Sequence, residues 1–454
     1  MRPSSKQMVV LTLIIPLTVL VACQDSPQAI SDPLGLEPAG QKIVVSTPAE
    51  LVAALSPQNA GRRILVRAGT YAIDTPLTVP DGATLEGEGV MLFDGAGRPA
   101  GFAAGTRTTL SMTTNVPGNL LTLGDGVTVR GLEIVDLAGR AGNAIAVVSR
   151  DAGDRISATI VECEMVNPNP VAGQTGYGLL VLTRNLNLGA DPLPHEGAAL
   201  TARMVRSLIR SPAGGGGLFA FNNASFGSVS VTLADNVVGG SITANGGVSL
   251  PDAVHDSEVR IESQRNLYRN DSADSCTIPR FGWNLTGGSG PPFPIPVPET
   301  ARNTLRMHSV DDRIEGFTTG VLATGSRRFF PLPLAGPSTD NSLGLELLGG
   351  RISTPSCGGA PFVADLDLAG AFAGNDALFP GDGNELRAVV RGVTGSGPRF
   401  NEYVNADGPS GPLPPELQGS DNRLEIAGSP KAFARTNRQI DPPPGAEFFT
   451  SASQ

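Results

Sequence analysis

The groups that could do chemistry lie closest together between Asp252 and Arg269. Asp252, Asp256 and Glu258 offer the hard oxygen ligands that calcium prefers, and Arg260 and Arg265 stand a few residues on. Glu258, Arg260 and Glu262, however, alternate with Val259 and Ile261, the pattern of the outer face of a strand. A second candidate is the pair Asp311-Asp312, just after His308, because glycoside hydrolysis needs two carboxylates flanking the scissile bond. No other acid/base motif accompanies the pair, and a solvated turn is expected there. His195, His255 and His308 are far apart, have no metal-ligand spacing and read as surface or loop residues. Lysine occurs only at Lys6, Lys42 and Lys431, which takes it off the list of candidate catalysts. Gly214 to Gly217 precedes Leu218-Phe219-Ala220-Phe221 but lacks the Lys-Ser/Thr of a phosphate cradle, and reads as a turn. Phe281-Gly282-Trp283-Asn284 holds the single tryptophan. It is expected either as a sugar-contacting loop, with Trp283 and Phe281 stacking on a ligand, or as an apolar plug on the flank of the fold.

The elements around these residues are short. Thr47-Pro48-Ala49-Glu50 places an N-cap, a first-turn proline and a capping-box glutamate in order, so one short helix is expected there and nearly none elsewhere. From Arg63 on, apolar strands alternate with turns. Asp81-Gly82-Ala83-Thr84-Leu85-Glu86-Gly87 returns as Asp125-Gly126-Val127-Thr128-Val129-Arg130-Gly131, 44 residues later. Asn303, Asn341, Asn384 and Asn422 each open an apolar strand, at spacings of 38, 43 and 38. A fixed period is the signature of stacked repeats. Both periods read as two turns of roughly 20 residues, with Val127, Val129, Leu132 and Ile134 pointing inward. A sandwich or a propeller remains the alternative.

Composition narrows the class. Glycine (57) and proline (38) exceed a fifth of the 454 residues, and the net charge of −10 argues against a nucleic-acid partner. Arg2 and Lys6 precede an apolar run from Met8 to Val21, the parts of an export signal in their working order. At about 14 residues the run is short for a membrane span. The ending Leu20-Val21-Ala22-Cys23 resembles the lipobox of bacterial lipoproteins. That resemblance implies cleavage before Cys23, lipidation of its thiol, and a membrane partner reached through the anchor. Gln24 in place of Asp favours the outer membrane. Residues 1–22 are then the signal, 23–42 a flexible tether and 43–454 a single domain. Cys163 alternates with Glu162 and Glu164 and is expected inside. Cys276 and Cys357 lie in loop-like surroundings and either pair outside the cytoplasm or stay free. A bond would close a loop of about 80 residues and contribute about 4 kcal/mol.

The stretch from Thr47 to Gly89, with Arg67-Ala68-Gly69-Thr70-Tyr71 and Pro80-Asp81-Gly82-Ala83-Thr84-Leu85-Glu86-Gly87, resembles the start of pectin-lyase-like proteins. The resemblance covers residues 44 to 137 and implies an all-β, right-handed parallel β-helix with a short capping helix. It also implies a polysaccharide as partner, and it opens an enzymatic alternative. In a lyase of that kind Arg260 or Arg265 would be the base and calcium, held by Asp252, Asp256 and Glu258, the cofactor. The family's catalytic signatures are absent. The expectation is therefore a lipid-anchored β-helix that binds a polysaccharide or envelope component, with a diverged lyase or hydrolase as runner-up.

Overall fold

In the computed structural model, residues 42–440 are described apart from 138, 141, 168–175, 184–194, 213–215, 250–251, 273–279, 290–298, 329–337, 356–363, 374–380, 396–399, 408–419 and 428–437. Cys23, the signal and most of the tether lie outside the described residues, as do Cys276, Cys357 and the segment after Ile440. Three long sheets run side by side, of 12, 10 and 11 strands among the described residues; we call them A, B and C. Each coil of chain gives one strand to each in turn. The pairings are parallel, except where Arg438–Ile440 lies antiparallel on the last strand of sheet C and in the hairpin Met91–Phe93/Pro99–Phe102. This is a right-handed parallel β-helix, and the parallel ladders exclude the propeller and the sandwich.

The expected helix is Pro48–Ala54, capped by the Thr47 hydroxyl on the Glu50 N–H, with the Glu50 carboxylate returning to the Thr47 N–H. Leu51 and Ala54 turn inward and close the first coil. Val127, Val129, Leu132, Ile134 and Cys163 are all buried, as their alternation requires, and burial pushes the Cys163 thiol up to about 12.

The repeat period is corrected by the register. Thr84 pairs directly with Thr128, and Thr304 with Ser342, so 44 and 38 residues are one coil and not two. Only near the start, where Arg63 pairs with Thr84, is a coil of 21 residues found. Later coils range from 29 to 46. Most of the difference resides in the connections that enter and leave sheet C, such as Arg269 to Phe281, Ser289 to Thr300 and Arg328 to Ser338. The connection from A to B holds two residues, as in Gln264 to Leu267 and Val310 to Arg313, except from Gly87 to Thr108, where the hairpin Met91–Phe93/Pro99–Phe102 lengthens the coil to 44.

Two-residue turns flank sheet A on both sides. In each, a first residue takes positive φ and a second points inward. After sheet A the first residues include Glu162, Arg206, Asp235, Arg265 and Asp311, with φ of 48–57°. Aspartate suits this region, whereas arginine and glutamate are uncommon there. The second residues stack as a polar ladder: Asn236 N–H donates to Asn266 Oδ1, and Asn266 N–H to Asp312 Oδ1. Before sheet A, Ser257, Asn303, Asn341, Asn384 and Asn422 form the matching ladder, each backbone N–H donating to the next asparagine's Oδ1 at 2.9–3.1 Å. Buried amides demand partners, and here every coil supplies the next.

Candidate functional site on sheet C

The cluster expected to carry chemistry does not assemble. Asp256 and Arg265 occupy positive-φ turns at opposite ends of strand Glu258–Gln264, a separation of about 30 Å at the rise of a strand. Asp256 is paired with Arg302, Glu258 with Arg306 and Arg260 with Glu262, all on or beside the exposed face of sheet A. Asp252 is exposed on the approach. Arg265 is bidentate on Asp235, which raises its pKa, the opposite of what a base needs. No group of three His, Cys, Asp or Glu among the described residues could hold a metal ion. Asp252, Asp256, Arg260 and Arg265 are thus not brought together as one cluster.

Three other placements also differ. Trp283 is 1% exposed and lies on strand Phe281–Ser289, edge-on to Tyr268 at 5.3 Å in the core. It is therefore not a ligand-contacting loop residue. Phe281 is half-buried on the same strand. Asp312 is 5% exposed and His195 2%, the latter hydrogen-bonded to the Ser149 hydroxyl at 2.7 Å. Neither is on the surface: Asp312 fills an inward turn position after sheet A, and His195 packs against Ser149 and the Thr183 carbonyl. His308 is on the outer face of sheet A, beside Glu346 at 2.8 Å.

Sheet C is where the long connections converge, and loops on a rigid scaffold are where binding groups concentrate. Its inward row is apolar throughout: Ile145, Leu179, Leu218, Ile242, Trp283, Val321, Leu366, Phe400. That parity turns two other rows outward, each crossing eight strands and about 34 Å at the spacing of neighbouring strands. One runs Ala146, Leu180, Phe219, Thr243, Asn284, Leu322, Asp367, Asn401; the other runs Val148, Leu182, Phe221, Asn245, Thr286, Thr324, Ala369, Tyr403. Both change from apolar to polar midway.

The polar half holds two perturbed charges. Asp367 is 1% exposed; burial pushes its pKa up to about 7, against the pull of the Asn401 amide at 3.2 Å and of Arg327. Burial lowers Arg327 to about 10. Its guanidinium donates to Asn284 Oδ1 at 2.8 Å and lies 4.5 Å from the centre of the Phe372 ring. Asn401 Oδ1, in a side chain 3% exposed, finds no donor among the described residues. Perturbed ionisable groups held against one another are a mark of functional sites. Sequence reasoning missed Asp367, Arg327 and Asn401, and reached Asn284 only as the end of the Phe281–Asn284 stretch. The signal available was weak: charged or amide residues inside otherwise apolar strands, as in Ala364-Asp365-Leu366-Asp367-Leu368.

No family model matches this chain, and no curated protein matches it. Among solved structures it is similar to an alginate lyase from Paenibacillus sp. str. FPU-7, at 12% identity and a TM-score of 0.29, over 69% of this chain and 93% of that one. A likeness of that size says nothing of this chain's activity.

Proposed function

We propose that this chain is an exported lipoprotein, acylated at Cys23, whose β-helix binds a polysaccharide along the outer face of sheet C. The observation that carries the reading is the Asp367–Arg327–Asn284–Asn401 group, in which Asn284, Asp367 and Asn401 share one outward row and Arg327 reaches Asn284 from beside it, on a sheet flanked by long connections. A linear polymer matches a linear array of donors and acceptors repeated at strand spacing. The amino-terminal pattern of Arg2, Lys6, an apolar run and Leu20-Val21-Ala22-Cys23 supports the anchor.

The test is retention of the full chain, purified in detergent, on beads bearing a β-glucan, a mannan, polygalacturonate or alginate. Retention of one polymer, lost on Asp367→Asn or Arg327→Gln, is expected. Retention unchanged in both variants would move the site elsewhere. For the anchor, Cys23→Ser should abolish incorporation of labelled palmitate and release the protein from the membrane fraction.

A second reading, cleavage, is favoured by one observation. A carboxyl group that titrates near neutrality beside an arginine lowered to about 10 is suited to moving a proton. Unsaturated or reducing ends appearing during the same incubation, and absent with Asp367→Asn, would establish it.

A further inference from the structure

The apolar half of the outward rows contains an aromatic pair that the fold does not need. Phe219 and Phe221 lie on strand Gly216–Phe221, outside the solenoid, with Leu218 and Ala220 taking the inward positions. Their rings stack with centroids 3.7 Å apart and planes 29° from parallel, and Tyr177 adds a tilted ring 4.6 Å from Phe219. They rest on a small separate cluster of Ala146, Val148, Leu180 and Leu182, and both remain partly exposed. Rings serving only as filler would be expected in the main core, where the chain already buries Trp283, Tyr268 and Phe317.

We infer that Phe219 and Phe221 form a stacking subsite for an uncharged sugar ring of the bound polymer. The inference rests on the polysaccharide reading and adds where, and by which chemistry, the neutral part of the chain is held. Three observations select a sugar as the occupant. The eight positions from Ala146 to Thr243 and from Val148 to Asn245 carry no charge, so nothing there pairs with an ionic group. The platform ends against Thr243 and Asn245, a hydroxyl and an amide at the edge of an apolar surface. A sugar has that same division, an apolar C–H face and a polar rim, which an acyl chain lacks. Finally, the row of Phe219 continues without a break in register through Thr243, Asn284 and Leu322 to Asp367, four strands and about 19 Å away. One extended chain is long enough to reach both, and must displace what covers Asn245, Thr286, Leu322 and Thr324, which are buried. The ligand is then a polymer with a neutral ring at Phe219/Phe221 and a hydrogen-bonding or ionic group at Asp367/Arg327.

The experiment uses the full chain and the same four bead-bound polymers. Phe219→Leu and Phe221→Leu keep the apolar contact with the cluster beneath and remove the flat ring face. Each is expected to weaken retention of the polymer held by the wild type about tenfold, the change that 1.4 kcal/mol produces, with an unchanged unfolding midpoint. Hydroxyl-radical footprinting of the wild type provides a readout that needs no variant, and added polymer should protect Phe219 and Phe221. Leucine variants that bind as tightly as the wild type, or rings unprotected by a polymer that is retained, would overturn the subsite and leave the polysaccharide reading standing. Failure of the wild type to retain any of the four polymers would overturn both.

Discussion

Asp312 shows how a single turn position can set a property of the whole protein. It follows Asn236 and Asn266 in the ladder, accepts the Asn266 backbone and side-chain N–H groups on Oδ1, and accepts the Ser309 hydroxyl on Oδ2. These bonds favour the ionised form, yet desolvation wins and raises its pKa to about 6. Between pH 4 and 6 the unfolded chain therefore loses this proton before the folded one does, so stability falls as pH rises through that window and is level above it. Asp367 acts in the same direction, up to about pH 7. Asp312→Asn keeps an acceptor for Asn266 and removes the titration. The variant should lose on the order of 3 kcal/mol of the difference between pH 4 and pH 7. Denaturant midpoints at those two pH values check this, and an unaltered difference would mean that Asp312 is solvated. Trp283 belongs to the same scale. Trp283→Ala should cost about 3–5 kcal/mol by opening a core cavity. Trp283→Phe should cost less, because the indole N–H has no acceptor among the described residues.

At the scale of the element, the asparagine ladder before sheet A joins the last five coils into one unit. Asn341 accepts from Asn303 and donates to the Thr300 carbonyl, the Ser338 hydroxyl and Asn384. Asn341→Ala leaves the buried Asn303 N–H without a partner, at a cost of about 1–3 kcal/mol for that group alone. Hydrogen exchange should accelerate first in strands Thr304–Val310 and Ser342–Leu348; uniform acceleration along the solenoid would contradict a local role. This ladder could be read from the sequence, because asparagine recurs at every step. Its counterpart after sheet A could not, because successive coils place Cys163, Ser207, Asn236, Asn266, Asp312 and Gly350 there, and only asparagine occurs more than once. The capping helix was legible for the opposite reason: Thr47, Pro48 and Glu50 act within four residues and need no tertiary information. Coil length was misread because the connections vary, mostly beside sheet C and once between A and B, so that a spacing near 40 hides one long coil and mimics two short ones. The outward rows escaped notice for the same cause. Asn284 and Asp367 become neighbours of one face only once the register across three coils is known.

For the whole molecule, the division of labour among the sheets decides what a ligand can meet. The exposed face of sheet A is a lattice of opposite charges, Arg260 with Glu262, Arg306 with Glu258, and Arg387 with Glu385 and Glu425, with His308 hydrogen-bonded to Glu346 among them. Exposed pairs of this kind contribute little stability, about 0–1 kcal/mol each. A surface that satisfies its own charges has little left to offer an ion. Sheet C differs, with charge only at one end and rings at the other. A polymer held along it should therefore gain affinity in two stages as oligosaccharides of increasing length are titrated. A short oligomer can engage either the Phe219/Phe221 end or the Asp367/Arg327 end. An oligomer long enough to cover the roughly 19 Å between them engages both, and its second contact is intramolecular, with an effective concentration in the millimolar range. Affinity should then step upward at that length. In Asp367→Asn the step should vanish while the binding of short oligomers persists. A smooth gain with length, equal in wild type and variant, would mean that the two ends do not share one chain. The polymer would then cross sheet C and not follow it.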